Sequence, residues 1–377
     1  MYLCRPISVN CDKDLTKMWM LLLMVLPLLA VVYIGWHIWA LLPLAPLWKL
    51  AVILVGVACF LLLFLDLGRK LDNYPLSVAQ VVYEIGTSSL IIMLYLVMLF
   101  LVLDLGRMVH LIPKSLLYDN WLTVAGIFVL LFGLFLYGNQ HYKNKERVQL
   151  TLKSQKPLPK DYKVVMATDL HLGYHNPRKE LARWVDLMNA EHPDFILIAG
   201  DIIDISVRPL IEEKMAEEFH RLEAPVYACL GNHEYYSGHP AAQQFYKDAG
   251  IRLLIDDYAV IDSAIVIVGR DDRANMRRKP VEDLVSVAPS LYTILLDHQP
   301  YHLDRSEKAG VDFQLSGHTH RGQVWPISWI TDHIYECSWG SYQRGNTQYY
   351  ISSGIGLWGG KFRIGTQSEY VVATIKD

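Results

Sequence analysis

Five short blocks hold the residue types that can do chemistry: DLH at 169–171, GD at 200–201, GNHE at 231–234, DHQP at 297–300 and GHTH at 317–320. Together they offer Asp169, His171, Asp201, Asn232, His298, His318 and His320 as imidazole, carboxylate and amide donors. Such donors suit borderline first-row divalent ions such as Mn, Fe, Co or Zn. With no thiolate among them, a closed structural zinc site is not expected. Seven donors are too many for one open catalytic ion and fit two that share a carboxylate. Two divalent ions against two aspartates leave about +2, or about +1 with a bridging hydroxide, which favours an anionic substrate. Ions about 3.5–4 Å apart can stabilise both the attacking and the leaving oxygen of a phosphoryl transfer.

Each block stands just beyond an apolar, strand-like run. These runs are YKVVMAT (162–168), DFILIAG (194–200), PVYACLG (225–231), LYTILLD (291–297) and VDFQLSG (311–317). Helical spacing follows each of the first three, in PRKELARWVDLMNAE (177–191), PLIEEKMAEEFHRL (209–222) and PAAQQFYKDAG (240–250). Further strands are predicted at 264–269, 347–353 and 369–375. This alternation, turning β-rich at the end, predicts an α/β domain of packed sheets with outer helices. The carboxyl ends of strands are where such sheets collect ligands. A turn accounts for Gly231 and Asn232 in GNHE, but not for His233 and Glu234 beside them.

The series of five motifs resembles the calcineurin-like metallophosphoesterase superfamily over residues 161–377, with every motif intact. The resemblance implies a four-layer α/β/β/α sandwich with a two-metal centre. Asp169, His171 and His320 would hold one ion, Asn232, His298 and His318 the other, and Asp201 would bridge them. It further implies that His233 is not a ligand but faces the substrate, stabilising phosphoryl oxygens or protonating the leaving group. Glu234 is expected to orient a histidine or to stand in solvent. The closing YYISSGIGLWGGKFRIGTQSEYVVATI is similar to the membrane-associated phosphodiesterase branch, which includes enzymes resembling UDP-2,3-diacylglucosamine pyrophosphohydrolases.

The first 140 residues have another character. Four apolar segments, near 18–42, 47–67, 85–110 and 121–138, each approach the roughly 20 residues that cross a bilayer. They predict an all-α, four-helix transmembrane region at 1–140, a basic linker at 141–160 and the catalytic domain at 161–377. Four spans depart from the single segment or export signal common in the branch. Basic residues gather before the first span (Arg5, Lys13, Lys17), between the second and third (Arg69, Lys70) and after the fourth (Lys143, Lys145, Arg147, Lys153). The positive-inside bias then places both ends, and the catalytic domain, on the cytoplasmic side of a plasma (inner) membrane. LDLGR occurs twice, at 65–69 and 103–107, and reads as a helix end with arginine among headgroups, or as an Asp–Arg headgroup site.

The chain has 377 residues and a formal net charge of −3, so no nucleic acid is expected as partner. Five cysteines show no paired spacing and predict no disulfide framework. GRDDRANMRRKP (269–280) reads as a solvated charged loop, with a diphosphate or headgroup grip as the alternative. Trp325, Trp329 and Trp358 read as core, with an interfacial or acyl-chain surface as the alternative. The leading expectation is a membrane-anchored, two-metal phosphoesterase acting on a phosphodiester or pyrophosphate bond, with the bilayer and a lipid-linked substrate as partners. The competing expectations are a protein or small-molecule phosphomonoesterase, and a transport or sensing protein whose metallo-domain only binds a ligand.

Overall fold

The computed structural model describes residues 13–377, with the backbone alone for 13–24 and 66–68. Among these, one unit ends at Gly138 and a second begins at Asn139.

The first unit is helical: α1 (Lys13–Leu41), α2 (Pro46–Asp66), α3 (Leu76–Met108) and α4 (Trp121–Lys143), whose last turn belongs to the second unit. Three of them, α2, α3 and α4, are long and apolar enough to cross a membrane. The fully described part of α1, Val25–Leu41, is apolar but shorter, and residues 18–24 of its expected span lie outside the described side chains. α3 starts at Leu76, nine residues before the expected 85, because Tyr83 and Ala79 continue a buried face that apolar run length alone does not reveal. Gly86 lets α3 approach α2 closely, since a Cβ there would meet Leu63 N at 2.8 Å. The second LDLGR copy does not present a free headgroup site. Asp104 Oδ2 accepts from Tyr33 Oη at 2.7 Å and lies 3.1 Å from His37 Nε2, while Arg107 Nη1 donates to Tyr118 Oη at 3.0 Å. In the first copy Arg69 pairs with Asp72 at 2.9 Å, and the Asp66 side chain lies outside the described residues.

The second unit holds two six-stranded sheets. Their strands are β1 (Lys145–Lys153), β2 (Tyr162–Ala167), β3 (Phe195–Ala199), β4 (Val226–Cys229), β5 (Arg252–Leu253) and β6 (Asp257–Ile261). There follow β7 (Ile265–Gly269), β8 (Tyr292–Leu296), β9 (Phe313–Ser316), β10 (Gly340–Arg344), β11 (Thr347–Ile351) and β12 (Ser368–Lys376). The first sheet runs β1-β12-β2-β3-β4-β5 and the second β10-β11-β9-β8-β7-β6. The central neighbours β2, β3 and β4 are parallel, as are β7, β8 and β9. Residues 145–153, expected within a linker, instead form β1, paired in parallel with β12 from Lys145↔Ser368 to Lys153↔Lys376. The charged, exposed face of that edge strand disguises it as a linker.

Helices cover the outer faces: α5 (Arg178–Asn189), α6 (Arg208–Glu212), α7 (Ala216–Phe219), α8 (Asn232–Ser237) and α9 (His239–Asp248) around the first sheet's side of the chain, then α10 (Val281–Val285), α11 (Leu303–Lys308) and α12 (Ile327–Ile334). Val164, Met166, Leu197, Ile267, Ile294 and Phe313 fill the space between the sheets. On the far side of the first sheet, Val165, Ile196 and Ile198 meet Leu181, Trp184 and Phe245 of α5 and α9. On the far side of the second, Val266, Val268 and Leu295 meet Leu284 and Val285 of α10. The layers are therefore α/β/β/α. Strands buried on both faces explain the continuous apolar runs that precede each motif.

Candidate metal centre

Because β2, β3 and β4 are parallel neighbours, their carboxyl ends share one edge, and those of β8 and β9 share an edge of the second sheet. Asp169 and His171 follow β2, Asp201 follows β3, and Asn232 opens α8 after β4. His298 follows β8, and His318 and His320 follow β9. The two edges meet: His298 Nδ1 donates to Ala199 O of β3 at 2.8 Å.

Three groups of side chains close on common points, with donor atoms within 4.8 Å of one another. The first is Asp169, His171 and His320; the second Asp201, His298 and His318; the third His171, Asp201 and His233. Asp201 belongs to two of them, with Oδ2 3.7 Å from His171 Nε2 and 3.0 Å from His298 Nε2. Asn232 is held at the same place, for the next backbone N–H, that of His233, donates to Asp201 Oδ1 at 2.9 Å.

The local backbone is bent to do this. Asp169, His171, Asp201, His318 and His320 all have left-handed φ, between +45° and +70°. For L-residues that conformation costs roughly 1–2 kcal/mol each, and such strain gathers where side chains must converge on a ligand. Two glycines make the room. A Cβ on Gly231 would meet Asp201 Oδ1 at 2.1 Å, and one on Gly317 would meet Asp169 Oδ2 at 2.2 Å.

The donor atoms fit divalent cations. Asn232 Oδ1 is buried with no hydrogen-bond partner, although buried polar atoms are ordinarily satisfied, and His298 Nε2 faces the Asp201 carboxylate. His171 Nε2 and His320 Nε2 face each other at 3.0 Å. Neighbouring ligand atoms about 2.1 Å from one octahedral ion are themselves about 3 Å apart. Tautomers agree: His298 Nδ1 is committed to Ala199 O and His171 Nδ1 to Asp204 Oδ1 at 3.3 Å, which leaves both Nε2 lone pairs for an ion. Burial, aided by the neighbouring His298, lowers His318 to about 3, and burial with His171 holds His320 well below the usual range, so both rings are neutral. Burial also pushes Asp169 up, with the adjacent Asp201 adding to it against the pull of His298. His298 moves the other way. Burial opposes its charge, but Asp201 raises it well above the ordinary value, a demand for positive charge at Nε2.

His233 belongs to the third group, and its side chain is 13% exposed where those of His171 and Asp201 are buried. Its Nδ1 is 3.2 Å from Asp204 Oδ1, and its ring meets His171 edge-on at 4.5 Å and Tyr236 at 5.2 Å. Burial disfavours its charge, yet Asp201 and Asp204 overcome this and raise it to about 9.

Asp204 has no place in the sequence-predicted set. It is fully buried, three residues after Asp201, and reaches His171, His233 and, at 3.7 Å, His175 Nδ1. Burial would raise its carboxyl, but His171 and His233 hold it well below the usual range. The signal lay in DIIDI, where a charge in an apolar run needs a partner. Arg363 was also missed: its buried guanidinium donates to His320 O at 2.7 Å and to Ser353 O at 2.5 Å, fixing the backbone behind the last histidine.

Glu234 neither orients a histidine nor faces solvent. It is fully buried and accepts from the backbone N–H groups of Gly231 (2.7 Å), Ile203 (3.0 Å) and Asp201 (3.2 Å), and from Tyr246 Oη at 3.0 Å. The expected GNHE turn is the first turn of α8, and this carboxylate knits it to the Asp201 loop. The 269–280 segment is a solvated loop only in part, with Met276, Arg277 and Lys279 exposed. Arg270 and Arg278 both pair with the buried Asp297 at 3.0 Å, next to His298.

A sequence profile described as calcineurin-like phosphoesterase matches residues 162–322. A metallophosphoesterase of Aquifex aeolicus is 31% identical over 261 residues, covering 66% of this chain and 97% of that protein. The chain belongs to the calcineurin-like metallophosphoesterase family. A metallophosphoesterase of Campylobacter jejuni is 34% identical over 230 residues, which span 58% of this chain and only 60% of that relative. A Danio rerio relative is named a transmembrane protein with metallophosphoesterase domain; it is 29% identical over 57% of this chain and 53% of its own length. Among solved structures, a dimetal phosphatase from Danio rerio aligns over 52% of this chain and 88% of its own, with 12% identity and a TM-score of 0.34. Family membership makes the chain a metal-dependent hydrolase, and three of its described helices are long and apolar enough to cross a membrane.

Proposed function

We propose that this chain is a membrane-anchored phosphoesterase that hydrolyses a phosphodiester or pyrophosphate bond of a lipid-linked substrate. Two divalent cations would be held by Asp169, His171 and His320 on one side, by Asn232, His298 and His318 on the other, and by Asp201 between them. The observation that carries the reading is Asp201, whose carboxylate belongs at once to a group with His171 and to a group with His298 and His318. Bound ions would supply Lewis-acid stabilisation of phosphoryl oxygens and a nucleophile at neutral pH.

The chain's own residues do the rest. His233, raised to about 9, is protonated at neutral pH. Asp204 occupies its Nδ1 side, leaving Nε2 to carry the proton that the departing ester oxygen needs. Asp204 also fixes the His171 ring, and Glu234 fixes the backbone that bears Asp201. Four apolar helices would hold this centre near the bilayer and raise its effective concentration towards lipid headgroups. The distribution of lysine and arginine supports a cytoplasmic catalytic unit.

The test is turnover by the full-length protein of bis-p-nitrophenyl phosphate, a lipid-linked diphosphate, p-nitrophenyl phosphate and a phosphopeptide, each with Mn²⁺. The proposal expects the first two to be cleaved. Preference for the monoester or the phosphopeptide would replace the substrate class, and metal binding without any turnover would point to a ligand-binding role.

A further inference from the structure

Apolar side chains rarely crowd on one exposed face of a soluble domain, yet they do so on α12. Trp329 is 65% exposed, Ile330 53% and Ile334 56%, and Trp325 just before the helix is 37% exposed. At 3.6 residues per turn Trp329, Ile330, His333 and Ile334 occupy adjoining positions, with the buried Ser328 on the inward side. Trp325 and Trp329 meet edge-to-face at 5.3 Å and form one surface. These tryptophans are therefore not the core residues that the sequence reading favoured.

Two further observations say what covers this surface. First, α12 sits between the centre's last histidine and Tyr335, whose ring is 6.5 Å from that of His318. Second, it is tied to the place where the chain leaves its last apolar helix. In the final turn of α4, Asn139 Nδ2 donates to Lys361 O at 3.1 Å. One residue away, Gly360 O accepts from Gln323 Nε2 at 2.7 Å, and Trp325 N donates to Ile364 O at 2.7 Å. The segment bearing Trp325 is thus linked, through residues 360–364, to the last turn of α4.

We propose that the exposed face of α12 sits in the headgroup region of the phospholipid bilayer that anchors the chain, so that phosphate-bearing lipids reach the metal centre along the bilayer surface. Tryptophan has the chemistry for that layer, an apolar ring with one polar N–H. A short amphipathic helix binds an interface only weakly alone, but a tether removes most of the cost of encounter. The docking stands on the geometry of α12; its catalytic consequence rests on the phosphoesterase reading above.

The test uses the full-length protein in phospholipid nanodiscs. Trp329→Cys and Ile211→Cys are each labelled with bimane and compared with the unsubstituted chain labelled in the same way. Lipids carrying a spin label on the acyl chain should quench the probe at 329 at least threefold more than the probe at 211, which is itself on an exposed residue. In parallel, Trp329→Glu with Ile330→Glu should lower turnover of a bilayer-borne phosphodiester at least tenfold while leaving bis-p-nitrophenyl phosphate within twofold. Equal quenching at the two positions overturns the proposal. So does shielding of the probe at 329 that persists with unlabelled lipid alongside a doubled particle mass, because a second copy would then cover the face. Quenching reads docking even if no phosphoester is turned over, so failure of the catalytic reading remains distinguishable.

Discussion

His171 and His320 stand 149 residues apart in the chain, yet their Nε2 atoms are 3.0 Å apart and aimed at each other. Two ring nitrogens in that position share either a proton, as an N–H···N hydrogen bond, or a cation beside them. Asp169 Oδ1 lies 3.6 Å from one and 3.9 Å from the other, completing a triad with the separation of ligands on a single ion. The same spacing recurs around Asp201, His298 and His318, so this edge of the two sheets could hold cations in both places.

His233 should separate chemistry from metal binding. His233→Ala is expected to lower turnover by about 10²–10⁴, the usual worth of a positioned proton donor, with metal content unchanged. Turnover and elemental analysis of the same preparation check both halves.

Asp204 should act through the histidines it touches. Asp204→Asn keeps the shape but weakens the orientation of His171 and His233. Loss of such an outer partner typically costs 10–100-fold in metal affinity or activity. The activity lost should return in part at high metal concentration, and the pH profile should shift as the His233 proton becomes easier to lose. A mere packing role for Asp204 would move thermal stability and leave that profile in place.

Much of this centre was legible in the sequence because strand-end geometry is local. An apolar run buried on both faces, followed by Asp or His, announces a strand edge, and Asp169, His171, Asp201, His298, His318 and His320 do cluster there. Asp204 and Arg363 were less legible, because their importance lies in partners far away in sequence or in backbone atoms that no motif records. Glu234 was misread for a related reason: its partners are three backbone N–H groups and the Tyr246 hydroxyl, and a carboxylate that serves the backbone looks the same in a sequence as one in solvent. β1 was hidden by charges on an edge strand, and the exposed tryptophans by composition, since apolar residues suggest a core until coordinates show them facing out.

Gly231 should tolerate no side chain. In Gly231→Ala the new Cβ would press on Asp201 Oδ1 at 2.1 Å, although the backbone there is ordinary. Overpacking of this kind costs about 1–3 kcal/mol, and here it falls on the shared carboxylate. The expected outcome is a lower melting temperature together with reduced metal content, read by calorimetry and elemental analysis.

The edge of the first sheet should show an acid-sensitive tie. Arg147 of β1 donates to Glu191 Oε1 at 2.6 Å and Oε2 at 2.9 Å, and Lys163 lies 3.2 Å from the latter. Arg147, against a smaller effect of burial and with help from Lys163, lowers Glu191 to about 2. A carboxyl depressed on folding adds stability that is fully present above its unfolded value near 4.5 and is lost as the pH falls towards 2. Because the arginine is largely in solvent, the contribution is about 1 kcal/mol. Glu191→Gln should therefore lower the denaturation midpoint at pH 7 but not at pH 2, as measured by chemical unfolding.

The central claim is that Asp201 holds two divalent ions together, and elemental analysis of the full-length protein after equilibration with Mn²⁺ and desalting tests it most directly. The account predicts two ions per chain in the unsubstituted protein, with Asp201→Asn falling to one or none and losing turnover in step. A chain that hydrolyses phosphodiesters at full rate with no bound metal, or an Asp201→Asn variant that keeps both ions and full turnover, would contradict it.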